Sequence, residues 1–315
     1  MKAGFKVRAP IRSAEKGELV TKIFHERYGA DAFSTVLIPD MSVEGSLDEA
    51  LRGCAGVVHG ASEMGFSPDP HQMITPTLNM LNNILRTAAR TSSVKRVVTT
   101  SSQAVMPSIA EPGHQDASSW TPQADGVIAY AWAEPYTPEK AGAVYAAGKI
   151  SSERACWHFV KSEKPGFVLN TVVPGFTIGA TLHPDMPVTS SNSVVRGMLE
   201  SVDFAVGFLK VLSPTNFVDL RDCALLHLAA LANADIQGQR LLALGEAFDF
   251  DKIVDILAEL QPENNLPEKL TDGARGQATI DTRREQELLK AMGKEDGFTS
   301  LKESIRLCIV GETQI

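Results

Sequence analysis

Arg96-Val97-Val98-Thr99-Thr100-Ser101-Ser102 reads as a β-strand running into a polar end, and the segments before it alternate in the same manner. Immediately upstream, Pro70 to Arg90 has helical periodicity through Ile74, Leu78, Leu81 and Leu85. Gly56-Val57-Val58-His59-Gly60-Ala61 is a short buried strand, and Ser46 to Cys54 a short helix with Leu47 and Leu51 on one face. Phe33 to Ile38 predicts a strand, Ala14 to Arg27 a helix, and Phe5 to Ile11, alternating and β-rich, the first strand of the chain. Strands alternating with helices predict a parallel sheet covered on both faces. Right-handed crossovers then make it a doubly wound α/β fold.

Downstream, Ala104 to Thr137 is long, rich in Pro, Gly and Ser, and carries Trp120, Tyr130, Trp132 and Tyr136. A connection of that length in a compact domain is functional or disordered, and the aromatics argue against disorder. It is expected to be a loop over the active site. A helix over Pro138 to Val160 follows, then a strand, Phe167 to Val173, stopped by Pro174-Gly175. Beyond Ile178 the pattern loosens. It predicts helices over Asn192 to Val202, Arg221 to Ala232, Asp249 to Leu260, Thr282 to Met292 and Ser300 to Val310. Short strands are expected at Asn216 to Val218 and Gln239 to Leu244. The expected organisation is a cofactor-binding domain over 1–178 and a smaller mixed lobe over 179–315, some of whose segments return to the sheet.

The chain has 315 residues, a net charge of −8 and 43% hydrophobic content, ordinary for a globular protein with a sizeable core. It has no basic footprint for nucleic acid, and no run of apolar residues long enough to span a membrane. Cys54, Cys156, Cys223 and Cys308 are scattered without metal-ligand spacing, so no metal site is expected. Their pattern, with a start lacking a signal-peptide core, points to a reducing, cytoplasmic compartment.

In an open parallel sheet, ligands sit beyond the carboxyl ends of the strands. Those ends carry Arg12, Asp40, Gly60-Ala61-Ser62, Ser101-Ser102 and Pro174-Gly175. Within the helix that follows the aromatic segment, Val144-Tyr145-Ala146-Ala147-Gly148-Lys149 places a phenol and an ammonium four residues apart, on one face. A nearby lysine charge favours phenolate and makes the phenol a usable proton donor at neutral pH. A hydroxyl at Ser102 beside that phenol would give two donors to one carbonyl oxygen, as hydride addition to a ketone requires.

The chain resembles the extended short-chain dehydrogenase/reductase family, of the NAD-dependent epimerase/dehydratase type. The likeness is greatest to the branch of dihydroflavonol reductases and fungal or yeast aldehyde and ketone reductases. It rests on Lys6 to Arg12, Gly56 to Ala61, Val94 to Ser102, Tyr145-xxx-Lys149, Leu169 to Gly179 and Phe217 to Asp222, in the family's order. The resemblance implies a Rossmann-like fold and an NADPH-dependent carbonyl reductase acting on a small aldehyde or ketone. Ser102 would polarise the carbonyl, Tyr145 give the proton, and Lys149 hold the nicotinamide ribose. Arg12 matches the place where NADPH users bind the 2′-phosphate, and no acid follows it until Glu15. Asp40 and Met41 match residues flanking the adenine, Gly60, Ala61 and Ser62 a turn of close cofactor approach, and Pro174 and Thr177 contacts to the nicotinamide. A homodimer through the helices Pro70 to Arg90 and Pro138 to Val160 is a further implication. The aromatic segment and the lobe around Met186 to Met198 are expected to form an apolar substrate pocket.

Asp219 and Asp222 read as a helix start joining the lobes, and His59 as a hydrogen-bonded core histidine. The front departs from the family. Met1 to Phe5 matches the exit of the family's first helix, and the Gly-x-x-Gly-x-x-Gly turn that holds the pyrophosphate is missing. Either the front is truncated, or the remaining strands rearrange, or another chain fills the gap; truncation is the favoured expectation, with two unpaired interior strand edges and weak NADPH binding by the chain as written. Two other readings stay open: a cofactor-free member of the fold doing proton transfer, dehydration or isomerisation, and a non-catalytic binding protein.

Overall fold

The structure, a computed structural model, describes residues 1, 3–188, 190–270 and 272–310. Lys2, in the opening stretch, and Thr189, in the later lobe, lie outside them. In chain order the elements begin with β1 (Val7–Ile11), α1 (Ala14–Tyr28), β2 (Phe33–Leu37), α2 (Asp48–Leu51), β3 (Gly56–His59), α3 (Pro70–Arg90) and β4 (Arg96–Thr100). Then come β5 (Gly113–Gln115), α4 (Ala124–Trp132), α5 (Ala141–Glu163), β6 (Val168–Pro174), β7 (Phe176–Ile178), α6 (Ser190–Leu199) and α7 (Asp203–Leu212). The chain closes with β8 (Thr215–Asp219), α8 (Leu220–Ala232), β9 (Arg240–Ala243), β10 (Ala247–Phe248), α9 (Phe250–Leu260), β11 (Ala278–Ile280), α10 (Arg283–Ala291) and α11 (Leu301–Val310). The predicted strand–helix alternation is present, and every ladder but β10 on β8 is parallel among those described.

Two compact units emerge. The first comprises Met1–Thr99 and Asp125–Leu169. In it β1 pairs with β2 (Val7 opposite Phe33) and β3 with β4 (Gly56 opposite Arg96), and the Val168 amide donates to the Lys95 carbonyl at 2.9 Å. The helix α3 forms where the sequence predicts it. Asp69 caps it by accepting from the His71 amide at 2.9 Å, Pro70 takes the first turn, and Ile74, Leu81 and Leu85 are buried. Leu81 and Leu85 pack with Leu47, Val97 and Leu169 into one core. The anticipated unpaired edges are present: among the described residues β1 has β2 as its one neighbour, and β3 is an edge strand. Val58, in the middle of β3, is accordingly 49% exposed.

The second unit comprises Thr100–Ala124 and Asn170–Ile315, described here to residue 310. In it β6 pairs with β9 (Thr171 opposite Arg240), and the Ser101 amide donates to the Val172 carbonyl at 2.8 Å. A separate ladder joins β7 to β8 in parallel and β10 to β8 in antiparallel sense, and β5 pairs with β11. Its core gathers Phe176, Met198, Leu209, Phe217, Phe250 and Ile305. Asp219 caps α8, accepting from the Arg221 amide at 2.9 Å and from the Ser304 hydroxyl at 2.8 Å. Asp222, fully buried, pairs with Lys294 at 3.0 Å and accepts from the Thr299 amide at 2.6 Å. Both carboxylates do the structural work expected of them.

One expectation needs correction and one strand was not foreseen. The stretch from Ala104 to Thr137 is more than a loop, since it holds β5 and α4. The strand β6 does stop at Pro174, but beyond Gly175 the chain resumes as β7 in another ladder. The cause is contact: a Cβ on Gly175 would lie 2.8 Å from the Asn216 carbonyl carbon, so only glycine allows β7 to settle on β8.

Candidate active site

In the first unit, α5 packs on α3 through Val144 and Ala147, which meet Met73 and Ile74. Val144, Ala147 and Ile150 are buried, and a Cβ on Gly148 would sit 3.7 Å from Ile74. This packing fixes the helix rotation and leaves Tyr145 and Lys149 one turn apart on the same face. The Lys149 ammonium stands 5.8 Å from the Tyr145 ring centroid. Lys149 is only 8% exposed, and burial lowers it to about 8. Among the described residues no hydrogen-bond acceptor meets that ammonium. A largely buried lysine with no protein acceptor suits a ligand that brings oxygen atoms.

Two further residues surround the pair. His59, at the end of β3, is 7% exposed; burial and, second, the Lys149 charge push it down to about 4, so its imidazole is neutral at physiological pH. The expected hydrogen bond is not there: no partner for its ring occurs among the described residues. Phe66 lies on Tyr145 with ring centroids 5.6 Å apart and planes at 28°. It sits in the segment between β3 and α3, with φ at +48°. No periodicity marks that segment, so nothing in the sequence singled Phe66 out.

The remaining first-unit residues cluster beyond β1, β2 and β3. The Arg12 guanidinium, 59% exposed, reaches Glu63 at 3.5 Å. Asp40 accepts from the Ser42 hydroxyl at 2.7 Å and its amide at 2.8 Å. Those bonds, with the Arg12 charge, hold its carboxyl below the usual carboxylate range. The Met41 carbonyl accepts from the Asn83 amide at 2.7 Å, which fastens the turn after β2 to α3. Gly60, Ala61 and Ser62 lead away from β3 to Glu63, whose amide donates to Thr77 at 3.1 Å. Glu63 and Asn83 were missed, since a lone acid in a loop and a lone amide in a helix carry no pattern.

The second unit holds Ser102, Pro174 and Thr177. The Ser102 hydroxyl accepts from the Ala104 amide at 3.2 Å and caps a one-turn helix, Gln103–Val105. Gln103 binds that turn to β8: its carbonyl accepts from the Asn216 amide at 3.0 Å and its amide donates to the Asn216 side chain at 3.1 Å. Pro174 ends β6, and the Thr177 hydroxyl donates to the Gly175 carbonyl at 3.2 Å within the β7 turn. Of the four aromatics expected to line one pocket, Trp120 belongs to the second unit and Tyr130, Trp132 and Tyr136 to the first. Trp120 lies under the Arg240 guanidinium, 4.4 Å away, in the second unit. In the first unit Trp132 and Tyr136 flank His71, and Tyr130 sits against Lys140. In the later lobe a groove of about 290 Å³ runs between α6 and α7, lined by Val188, Val194, Gly197, Val202 and Phe204. Met198 belongs to the core instead, fully buried.

No family model matches the chain. Single proteins do. It is 34% identical to aldehyde reductase 2 of Sporidiobolus salmonicolor over 315 residues, covering 98% of this chain and 90% of that protein. It is 33% identical to an NAD-dependent epimerase/dehydratase of Aspergillus flavipes, over 96% of this chain and 85% of that one. The chain belongs to the extended short-chain dehydrogenase/reductase family. Among solved structures, the fold is similar to that of the yeast methylglyoxal/isovaleraldehyde reductase Gre2 complexed with NADPH. The TM-score is 0.78 at 26% identity, covering 98% of this chain and 92% of that one.

Family members bind a nicotinamide dinucleotide, and the donor set here fits its two ends. The Lys149 ammonium, with no acceptor among the described residues, suits ribose hydroxyls, and the open Arg12 guanidinium suits a phosphate, with Glu63 displaced. For the pyrophosphate between them the sequence carries no Gly-x-x-Gly-x-x-Gly turn.

Proposed function

We propose that this chain is an NADPH-dependent carbonyl reductase that acts on a small-molecule aldehyde or ketone, with Tyr145 as the proton donor. The observation that carries this reading is Lys149, a largely buried side chain with no hydrogen-bond acceptor among the described residues, beside the Tyr145 ring. NADPH, when bound, supplies the hydride. Tyr145 donates its phenolic proton to the carbonyl oxygen as negative charge grows there, and the phenolate left behind is stabilised by the Lys149 charge. Lys149 also holds the ribose hydroxyls, which give its ammonium acceptors that the described residues do not supply. Ser102, by the family resemblance, polarises the same oxygen, and Pro174 and Thr177 contact the nicotinamide. Arg12 takes the 2′-phosphate, Asp40 and Met41 flank the adenine, and Gly60, Ala61 and Ser62 allow close approach of the cofactor backbone. The cofactor domain is 1–178 and the substrate lobe 179–315, in a cytoplasmic protein able to dimerise. No helix among the described residues is long and apolar enough to cross a membrane.

The reading is tested by following NADPH oxidation with a panel of aldehydes and ketones. Tyr145→Phe is expected to lower kcat by about 10²–10⁴-fold while melting as the parent does. Turnover of the variant at the parent's rate would overturn the assignment.

A further inference from the structure

We propose that Phe66 is a positioning residue for Tyr145: its ring holds the phenol at the one rotation from which the hydroxyl delivers a proton. The inference rests on the carbonyl-reductase reading, because it concerns how Tyr145 does its work there.

The geometry has three parts. The two rings stack at 5.6 Å and 28°, within the range in which offset aromatic pairs attract. The opposite constraint comes from the helix: Lys149, one turn on, places its ammonium 5.8 Å from the same ring. Finally, Phe66 adopts φ +48°, a left-handed conformation that a bulky side chain avoids. A phenylalanine in that conformation is kept only when the surrounding structure holds it there, and such outliers gather at functional sites. Gly65 immediately precedes it, so the more permissive residue stands one position away from the strained one.

A tyrosine ring on a helix turns about its χ bonds, and its oxygen sweeps an arc far wider than a proton-transfer distance allows. The covalent anchor of Tyr145 is fixed by the α3–α5 packing, and a ring lying against its face restrains the plane of the phenol. Phe66 supplies that ring. Leucine at the same position would fill the space without imposing a ring plane.

Three measurements test this together. In the unliganded chain with labelled tyrosines, Phe66→Leu should move the ring-proton resonances of Tyr145 alone among the four tyrosines, since a neighbouring ring current is lost. In steady state, Phe66→Leu should lower kcat by about ten-fold or more, with the KM for NADPH unchanged, and Phe66→Tyr should restore it. In a Tyr145→Phe background, Phe66→Leu should change the residual rate by less than about two-fold, because a residue acting through the phenol has nothing left to position. If Tyr145→Phe abolishes turnover while Phe66→Leu leaves kcat untouched, the positioning role is wrong and the reductase reading stands. If Tyr145→Phe itself keeps full turnover, the catalytic assignment falls and the role of Phe66 with it. If the two substitutions multiply their effects, Phe66 acts elsewhere and the proposal is overturned.

Discussion

In the proposed mechanism Lys149 is the residue on which the chemistry turns, and its titration has consequences for both rate and stability. Burial lowers it from 10.5 to about 8, so folding disfavours its charged form. Below the folded value both states carry the proton and the penalty is complete, on the order of 3 kcal/mol. It fades as pH climbs past about 8 and is gone above 10.5. Lys149→Met should therefore raise the melting temperature by several degrees at neutral pH and lose that advantage in strong alkali, while turnover is lost throughout. A variant that melts below the parent at neutral pH would show that the ammonium is not an energetic burden. For the parent, kcat/KM for carbonyl reduction should fall as pH rises through about 8, where the positive charge beside Tyr145 disappears. At this scale the sequence was legible where spacing carries information. Tyr145 and Lys149 stand four apart and face the same way, as the helix period requires. Phe66 and Glu63 were not legible, because loop residues meet their partners through backbone geometry that no period encodes.

Among the elements, those with a clean period were legible almost to their ends. The helix α3 runs from Pro70 to Arg90 as predicted, because Asp69, Pro70 and a continuous apolar stripe all agree. The elements that escaped notice are short or are defined by neighbours. Both β5 and β11 are three-residue strands whose ladder exists only through each other. The helix α7 has apolar residues on its solvent side, Phe204 at 66% and Val211 at 88% exposure, which blurs its pattern. The strand β7 was hidden behind Pro174-Gly175, read as a stop. Its placement depends on the missing side chain at position 175. Gly175→Ala should push β7 off β8 and destabilise the protein by about 1–3 kcal/mol in urea unfolding. An unchanged midpoint would mean that β7 and β8 have room to part at no cost.

At the scale of the molecule, the alternation of strand and helix was enough to predict a parallel α/β fold, and the relatives bear that out. The function is a narrower matter, since one fold hosts many reactions. A proton donor beside a buried cation serves carbonyl reduction, yet the same pair serves dehydration or isomerisation without any hydride. The direct discriminator is the origin of the hydrogen on carbon. With NADPH deuterated at the transferable position, an aldehyde or ketone substrate and ordinary water, the alcohol product should carry one deuterium on the former carbonyl carbon. Tyr145→Phe should form that labelled product about 10²–10⁴-fold more slowly. A product whose new hydrogen comes from solvent, or conversion that proceeds without NADPH, would contradict the account and leave Tyr145 and Lys149 as a proton-transfer pair.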